Sequence, residues 1–180
     1  MLGALRMLIR FANSINEWIG KSVSWLTTTL VLLVCFDVAR RALFDTTAAW
    51  IMELEWHLFA LIFLLGAGYS LKRDRHVRVD LFYAKFSAKD KALVNLLGTL
   101  LFLIPWCILI IYFSYFYALD AYIIGEVSPD PGGLPARYLI KFAITLGISL
   151  LLLQAMAMAA SSALILMDQQ AESDSTSATP

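Results

Sequence analysis

Charge is scarce in this chain of 180 residues: 16% of it is Asp, Glu, Lys or Arg, and 14 basic residues cancel 14 acidic ones. A net charge of zero argues against nucleic acid as a partner, because neutralising phosphates takes a surplus of Lys and Arg. Cysteine is nearly absent. Cys35 and Cys107 each sit in an apolar run and neither belongs to a CxxC pair, so both read as small hydrophobic fillers and the redox compartment stays open. The paired cysteines of a four-span thiol oxidase are lacking too. Of the two histidines, His76 lies among basic residues and is not placed to face His57 across a bundle, which argues against bis-histidine haem. A cleaved signal peptide is not expected, since Arg6, Arg10, Glu17 and Lys21 interrupt the apolar pattern every few residues.

What the chain has is apolar length. Hydrophobic residues make up 60% of it and the mean hydropathy is +0.73, against roughly 45–50% apolar in soluble domains. A water-soluble fold of this size has no interior large enough to hide that surface, so lipid is the expected solvent. The fold class is all-α and integral to the membrane: four transmembrane helices plus an N-terminal amphipathic interfacial helix.

Residues 1–21 alternate at helical period, with Leu5, Leu8, Ala12, Ile15 and Ile19 on one face and Arg6, Arg10, Asn13, Glu17 and Lys21 on the other. That pattern suits the plane of the headgroups. The uncharged stretch Ser22–Phe36 covers only about 22 Å at 1.5 Å per residue, short of the roughly 30 Å hydrocarbon core. The first span therefore continues through Asp37, Arg40 and Arg41 to about Phe44, with Asp37 and Arg41 four apart and able to pair. The second span covers residues 50–71, with Gly66 and Ser70 forming a small-xxx-small pair for close helix approach. Ser87 is placed to cap the third helix, whose span lies within 92–119 and which Pro105 should kink. Residues 120–137 form the clear loop, containing Pro129, Pro131, Pro135, Gly132 and Gly133. The fourth span covers 138–167, and Ala and Ser between 155 and 163 suit tight contact. The polar tail 168–180 reads as disordered. The domains are thus 1–21, 22–167 and 168–180.

Lysine and arginine set the orientation. Arg6, Arg10, Lys21, Lys72, Arg73, Arg75, Arg78, Lys85, Lys89 and Lys91 share one side, while Arg40, Arg41, Arg137 and Lys141 occupy the other, ten against four of the 14. The excess places both termini in the cytoplasm.

Catalytic machinery is not evident, and the chain is not expected to be an enzyme, to hold a metal or to carry a cofactor. Glu53 and His57 are spaced to share a helix face, but two ligands are too few for a typical zinc site, and both read as a solvated helix start. The centres of the second, third and fourth spans carry no ionisable residue, whereas such residues usually mark a transport pathway. There is no internal repeat of the kind that self-sufficient transporters often contain.

Four short pieces then carry a resemblance. Arg41-Ala42-Leu43-Phe44, Trp50-Ile51-Met52-Glu53, Gly66-Ala67-Gly68-Tyr69 and His76-Val77-Arg78-Val79-Asp80 occur in that order. They resemble the small membrane subunit (DctQ-like, Q subunit) of tripartite ATP-independent periplasmic (TRAP) transporters. The resemblance implies a small, non-catalytic subunit in a bacterial inner membrane that braces a large TRAP membrane subunit. It implies sodium-coupled secondary active transport, in which a periplasmic substrate-binding protein delivers an organic acid for uptake. Arg41, Trp50 and Glu53 match signature positions near the periplasmic surface, where an Arg41–Glu53 ion pair and a Trp50 interface anchor are expected. His76, Arg78 and Asp80 match positions at the cytoplasmic surface, where His76 and Arg78 are expected to contact anionic phospholipid headgroups or to serve as a generic positive anchor, and Asp80 to start the following turn. The Pro/Gly loop would face the binding protein. The competing readings are a structural anchor subunit of a complex outside transport and a small self-sufficient exporter.

Overall fold

The computed structural model describes residues 2–73 and 86–177, with side chains described to Asp168. Five α-helical segments account for four membrane-compatible rods: α1 (Leu2–Phe44), α2 (Ala49–Lys72), α3 (Ala88–Gly98), α4 (Ile104–Ile123) and α5 (Tyr138–Ser177). A π-helical turn, Thr99–Leu103, joins α3 to α4. Among the described residues four helices are long and apolar enough to cross a membrane, the third being the continuous Ala88–Ile123. The chain is a multi-pass, all-helical membrane protein.

Residues expected to form a separate interfacial helix are the first half of α1, which runs 43 residues without a break, or about 64 Å of helix. Its packing face is Ala12, Asn16, Gly20 and Val23, a stripe between the two faces that periodicity suggests. This half leans on α2, as the Gly20–Tyr69 and Asn16–Gly68 approaches require, and on α5 through the Asn16–Gln154 hydrogen bond. The second half of α1 is different: Trp25, Leu32, Phe36 and Leu43 are all exposed and are available to lipid or to protein.

The centre of the bundle is α5. Its Ala155, Ala157, Ala159, Ala160 and Ser162 are buried, so the run of small residues does bring helices close. Leu71 of α2, Cys107 of α4 and Ile148, Leu151 and Ala155 of α5 form the core cluster. Cys107 fills space there, whereas Cys35 is exposed, so the filler reading holds for one cysteine and fails for the other. The small residues of α2 that admit neighbours are also not those expected. A methyl group at Gly66 would meet nothing, while one at Gly68 would run into the Asn16 side chain. Gly147 of α5 sits against the backbone of Leu64, where a Cβ would lie 2.7 Å from the carbonyl oxygen.

Ser87 caps α3 as expected, its Oγ accepting a hydrogen bond from the Asp90 amide at 3.2 Å. Pro105, at the start of α4, follows the π-helical turn. A proline there has no N–H to give to the preceding turn, and a π-helical turn is one recognised way for a helix to absorb that local mismatch. The helical backbone of α5 continues to Ser177, beyond the expected end of the span at residue 167.

Candidate functional site

Two polar clusters hold the bundle at opposite ends of α2. At one end lies the loop between α4 and α5. Its base is closed by the Arg137 amide donating to the Glu126 carbonyl at 3.1 Å, and its tip by the Gly133 amide donating to the Asp130 carbonyl at 2.9 Å. Gly132 has φ +77° and Gly125 φ +64°, left-handed values that glycine adopts without strain. Ala136 takes φ 61° despite its Cβ, one local cost of folding the loop inward.

The loop folds around Glu53. The Glu53 carboxylate accepts a short hydrogen bond from Ser128 Oγ and another from the Leu134 amide at 2.5 Å, and the residue is 5% exposed. Gly133 is needed for this approach, because a Cβ there would strike Ser128 and lie 2.9 Å from Glu53 Oε2. Glu53 is therefore an anchor for the loop, not part of a solvated helix start. His57 Nδ1 contacts the Glu53 backbone carbonyl at 2.5 Å and its ring stacks on Trp56. It does not join the carboxylate in a shared ligand set. Among the described residues no group of three or more metal-ligating side chains exists. Beside the loop, Lys141 pairs with Glu126 and lies 3.9 Å above the Tyr117 ring.

The expected Arg41–Glu53 ion pair does not form. Arg41 is bonded within its own helix, to Asp37 Oδ2 at 2.5 Å, and Arg40 reaches the other oxygen at 3.1 Å and Thr46 Oγ1 at 3.1 Å. A partner one turn away on the same helix is reached with less ordering than a partner on another helix. The Asp37–Arg41 pairing expected from the spacing is present. Asp37 is 1% exposed, so a carboxylate in the second half of α1 is sealed beneath two guanidinium groups, which lowers the cost of holding it in the membrane. Trp50 is exposed in the first turn of α2. His76, Arg78 and Asp80 lie outside the described residues.

The second cluster lies outside what helical periodicity predicts. Glu17 of α1 pairs with Lys72 at 2.6 Å and Arg73 at 2.8 Å, beyond the end of α2, and with Lys21 at 3.3 Å. Lys72 also donates to the Asn13 carbonyl at 2.9 Å. The Glu17 carboxylate, followed by Tyr69, raises the Arg73 guanidinium further above its ordinary value. Deeper in, Asn16 donates to Gln154 of α5 at 3.1 Å, and Gln154 donates in turn to Asn13 Oδ1 at 2.9 Å. Asn16 and Gln154 are 0% and 5% exposed, so this network ties α1 to α5 where water does not compete. The available signal was Gln154, a strong hydrogen-bonding group in the middle of an apolar span. In lipid such a group needs a partner, and interhelical polar contacts commonly supply one.

Hydrogen bonds and ion pairs within the chain thus hold the bundle at both ends of α2. Residues 30–164 match the family model described as tripartite ATP-independent periplasmic transporters, DctQ component. The chain belongs to the DctQ family. A curated relative, the C4-dicarboxylate TRAP transporter small permease protein DctQ of Vibrio cholerae serotype O1, is 31% identical over 71 residues. That match covers 39% of this chain and 29% of the relative. DctQ membership identifies the chain as a small TRAP transporter membrane subunit, and membership in a transporter-subunit family points away from an enzyme. The DctQ match takes in both ends of the loop clamp, Glu53 and Ser128–Leu134, whereas Asn13, Asn16 and Glu17 precede it.

Proposed function

We propose that this DctQ-family chain braces the large membrane subunit of a TRAP transporter during sodium-coupled uptake of an organic acid. A periplasmic binding protein delivers the acid, and both termini of this chain lie in the cytoplasm of a bacterial inner-membrane assembly. The observation that carries the reading is the destination of the buried polar side chains. Asn16, Asp37, Glu53 and Gln154 are each bonded to another part of this same chain. A conduit would need such groups turned toward a moving solute or ion; a brace uses them to fix its helices.

The carboxylic acid substrate class is taken from the C4-dicarboxylate named for the Vibrio cholerae relative. The outward half of α1, with its exposed apolar side chains, is the surface offered to the large subunit, and Trp50 anchors the start of α2 at the headgroups. On the exposed side of the 126–137 loop, Asp130 faces the compartment of the binding protein. His76 and Arg78 serve as the positive anchor at the cytoplasmic surface, beside Asp80.

Copurification tests the assignment. A tagged form of this chain, extracted in mild detergent, is expected to bring down a large multi-span membrane protein encoded beside it. Uptake by cells should fall when this chain alone is deleted and return when it is restored. Recovery of a respiratory or signalling complex instead, with uptake unaffected, would overturn the assignment.

A further inference from the structure

A groove of about 530 Å³ runs between α2 and α5 directly below the loop clamp. Its volume falls in the range of sites that take a small molecule or part of a lipid, about 300–1,000 Å³. The walls are apolar and aromatic, with Phe59, Ala60, Phe63 and Leu64 from α2 facing Ile140 and Ile144 from α5. The mouth is different: it carries Trp56, Tyr117, Glu126, Arg137 and Lys141.

The charges at the mouth are not equally engaged. Lys141 is bound to Glu126 and lies on the Tyr117 ring. Glu53, behind the mouth, is turned to Ser128 and the Leu134 amide. Arg137 has its backbone amide on the Glu126 carbonyl and its guanidinium 5.8 Å from the centre of the Trp56 ring. Among the described residues this guanidinium forms no ion pair. The nearby carboxylates are thus engaged with other donors, leaving a half-buried cation over an aromatic ring at the top of an apolar slot.

We propose that this groove binds one glycerophospholipid, with its phosphodiester on Arg137 and one acyl chain lying between α2 and α5. Local charge complementarity supports this occupant: Glu126 neutralises Lys141, while the Arg137 guanidinium acts on Glu53 without an ion-pair contact and is the cation that a phosphodiester would engage. A guanidinium presents paired donors that fit phosphate oxygens. Trp and Tyr beside it suit headgroup depth, and the phenylalanines below suit hydrocarbon. The site does not depend on which transporter partners the chain has.

The test uses the full chain purified in detergent, with phosphatidylglycerol and, separately, phosphatidylethanolamine added as probes and bound lipid counted by native mass spectrometry. Wild type should hold one phospholipid, and Arg137→Gln should weaken it about tenfold, the scale of one lost charge-assisted hydrogen bond. Ala60→Trp, which fills the slot, should abolish binding. Arg6→Gln, an exposed change elsewhere, should leave it intact. Helicity and thermal stability are read alongside, and Phe63→Ser replaces Ala60→Trp if the latter unfolds. Three results would overturn the proposal: equal retention by the Arg137 and slot variants, equal binding of a phosphate-free diacylglycerol, or displacement of the lipid when the large subunit is copurified. The last would assign the groove to a protein helix.

Discussion

Glu17 and Glu53 are the same side chain used in two ways at opposite ends of the bundle. Glu17 retains partial exposure and is held by three cations, Lys21, Lys72 and Arg73. Glu53 is buried and held by a hydroxyl and a backbone amide donated by one folded loop. The difference is what each carboxylate leaves behind when removed. Cations near water resolvate, so exposed ion pairs contribute little to stability. A half-buried hydroxyl and amide stripped of their acceptor are less free to resolvate, and more of the desolvation cost falls on the fold.

The comparison breaks most visibly at Glu53. Glu53→Ala should lower the Tm of the purified chain by roughly 10 °C, on the scale of two lost charge-assisted bonds, and should open the 126–137 loop to protease. An unchanged Tm with a protected loop would show that the carboxylate does not organise it. Next comes Gly68→Ala, whose new methyl group meets Asn16 and lies 3.1 Å from the Leu150 carbonyl oxygen. Overpacking of that kind should lower the Tm by about 6 °C, as read by thermal unfolding in the same detergent. Glu17→Gln should cost at most about 2 °C. The deficit should shrink further in high salt, because screening weakens the wild-type pairs it removes. The smallest effect sharpens the picture by its sign: Gly66→Ala meets nothing and should raise the Tm by about 1–2 °C, since alanine costs less than glycine to order in a helix. A destabilised Gly66 variant would mean that a partner helix approaches that face.

Much of this was legible in the sequence. Long apolar runs placed the second, third and fourth spans, and the first was reached by extending a shorter run through Asp37, Arg40 and Arg41, because length and hydropathy largely decide whether a helix can cross lipid. Asp37 and Arg41 were paired correctly because their bond is local, set by helical spacing. Ser87 was found for the same reason. What sequence periodicity missed depends on how helices are rotated against each other. Gly66 and Gly68 are indistinguishable by composition, yet only Gly68 faces Asn16. Arg41 and Glu53 lie on either side of the turn between α1 and α2, but the folded loop engages Glu53 with Ser128 and Leu134, so the expected cross-helix ion pair is replaced. The inward packing of the N-terminal half of α1 was hidden by its charges. Glu17 resembled a residue for the water face until Lys72 and Arg73 were brought opposite it. The family motifs reached Trp50 and Glu53 and missed Asn16 and Gln154, which none of the four short pieces contains.

The central claim, that this chain supports a transport pathway without forming one, is tested most directly by sodium-gradient-driven uptake of a radiolabelled C4-dicarboxylate. The vesicles would hold this chain alone, the large subunit alone or both, with binding protein supplied on the outside. The account predicts accumulation with both subunits present and none with this chain alone. Concentrative uptake by vesicles containing only this chain would contradict it.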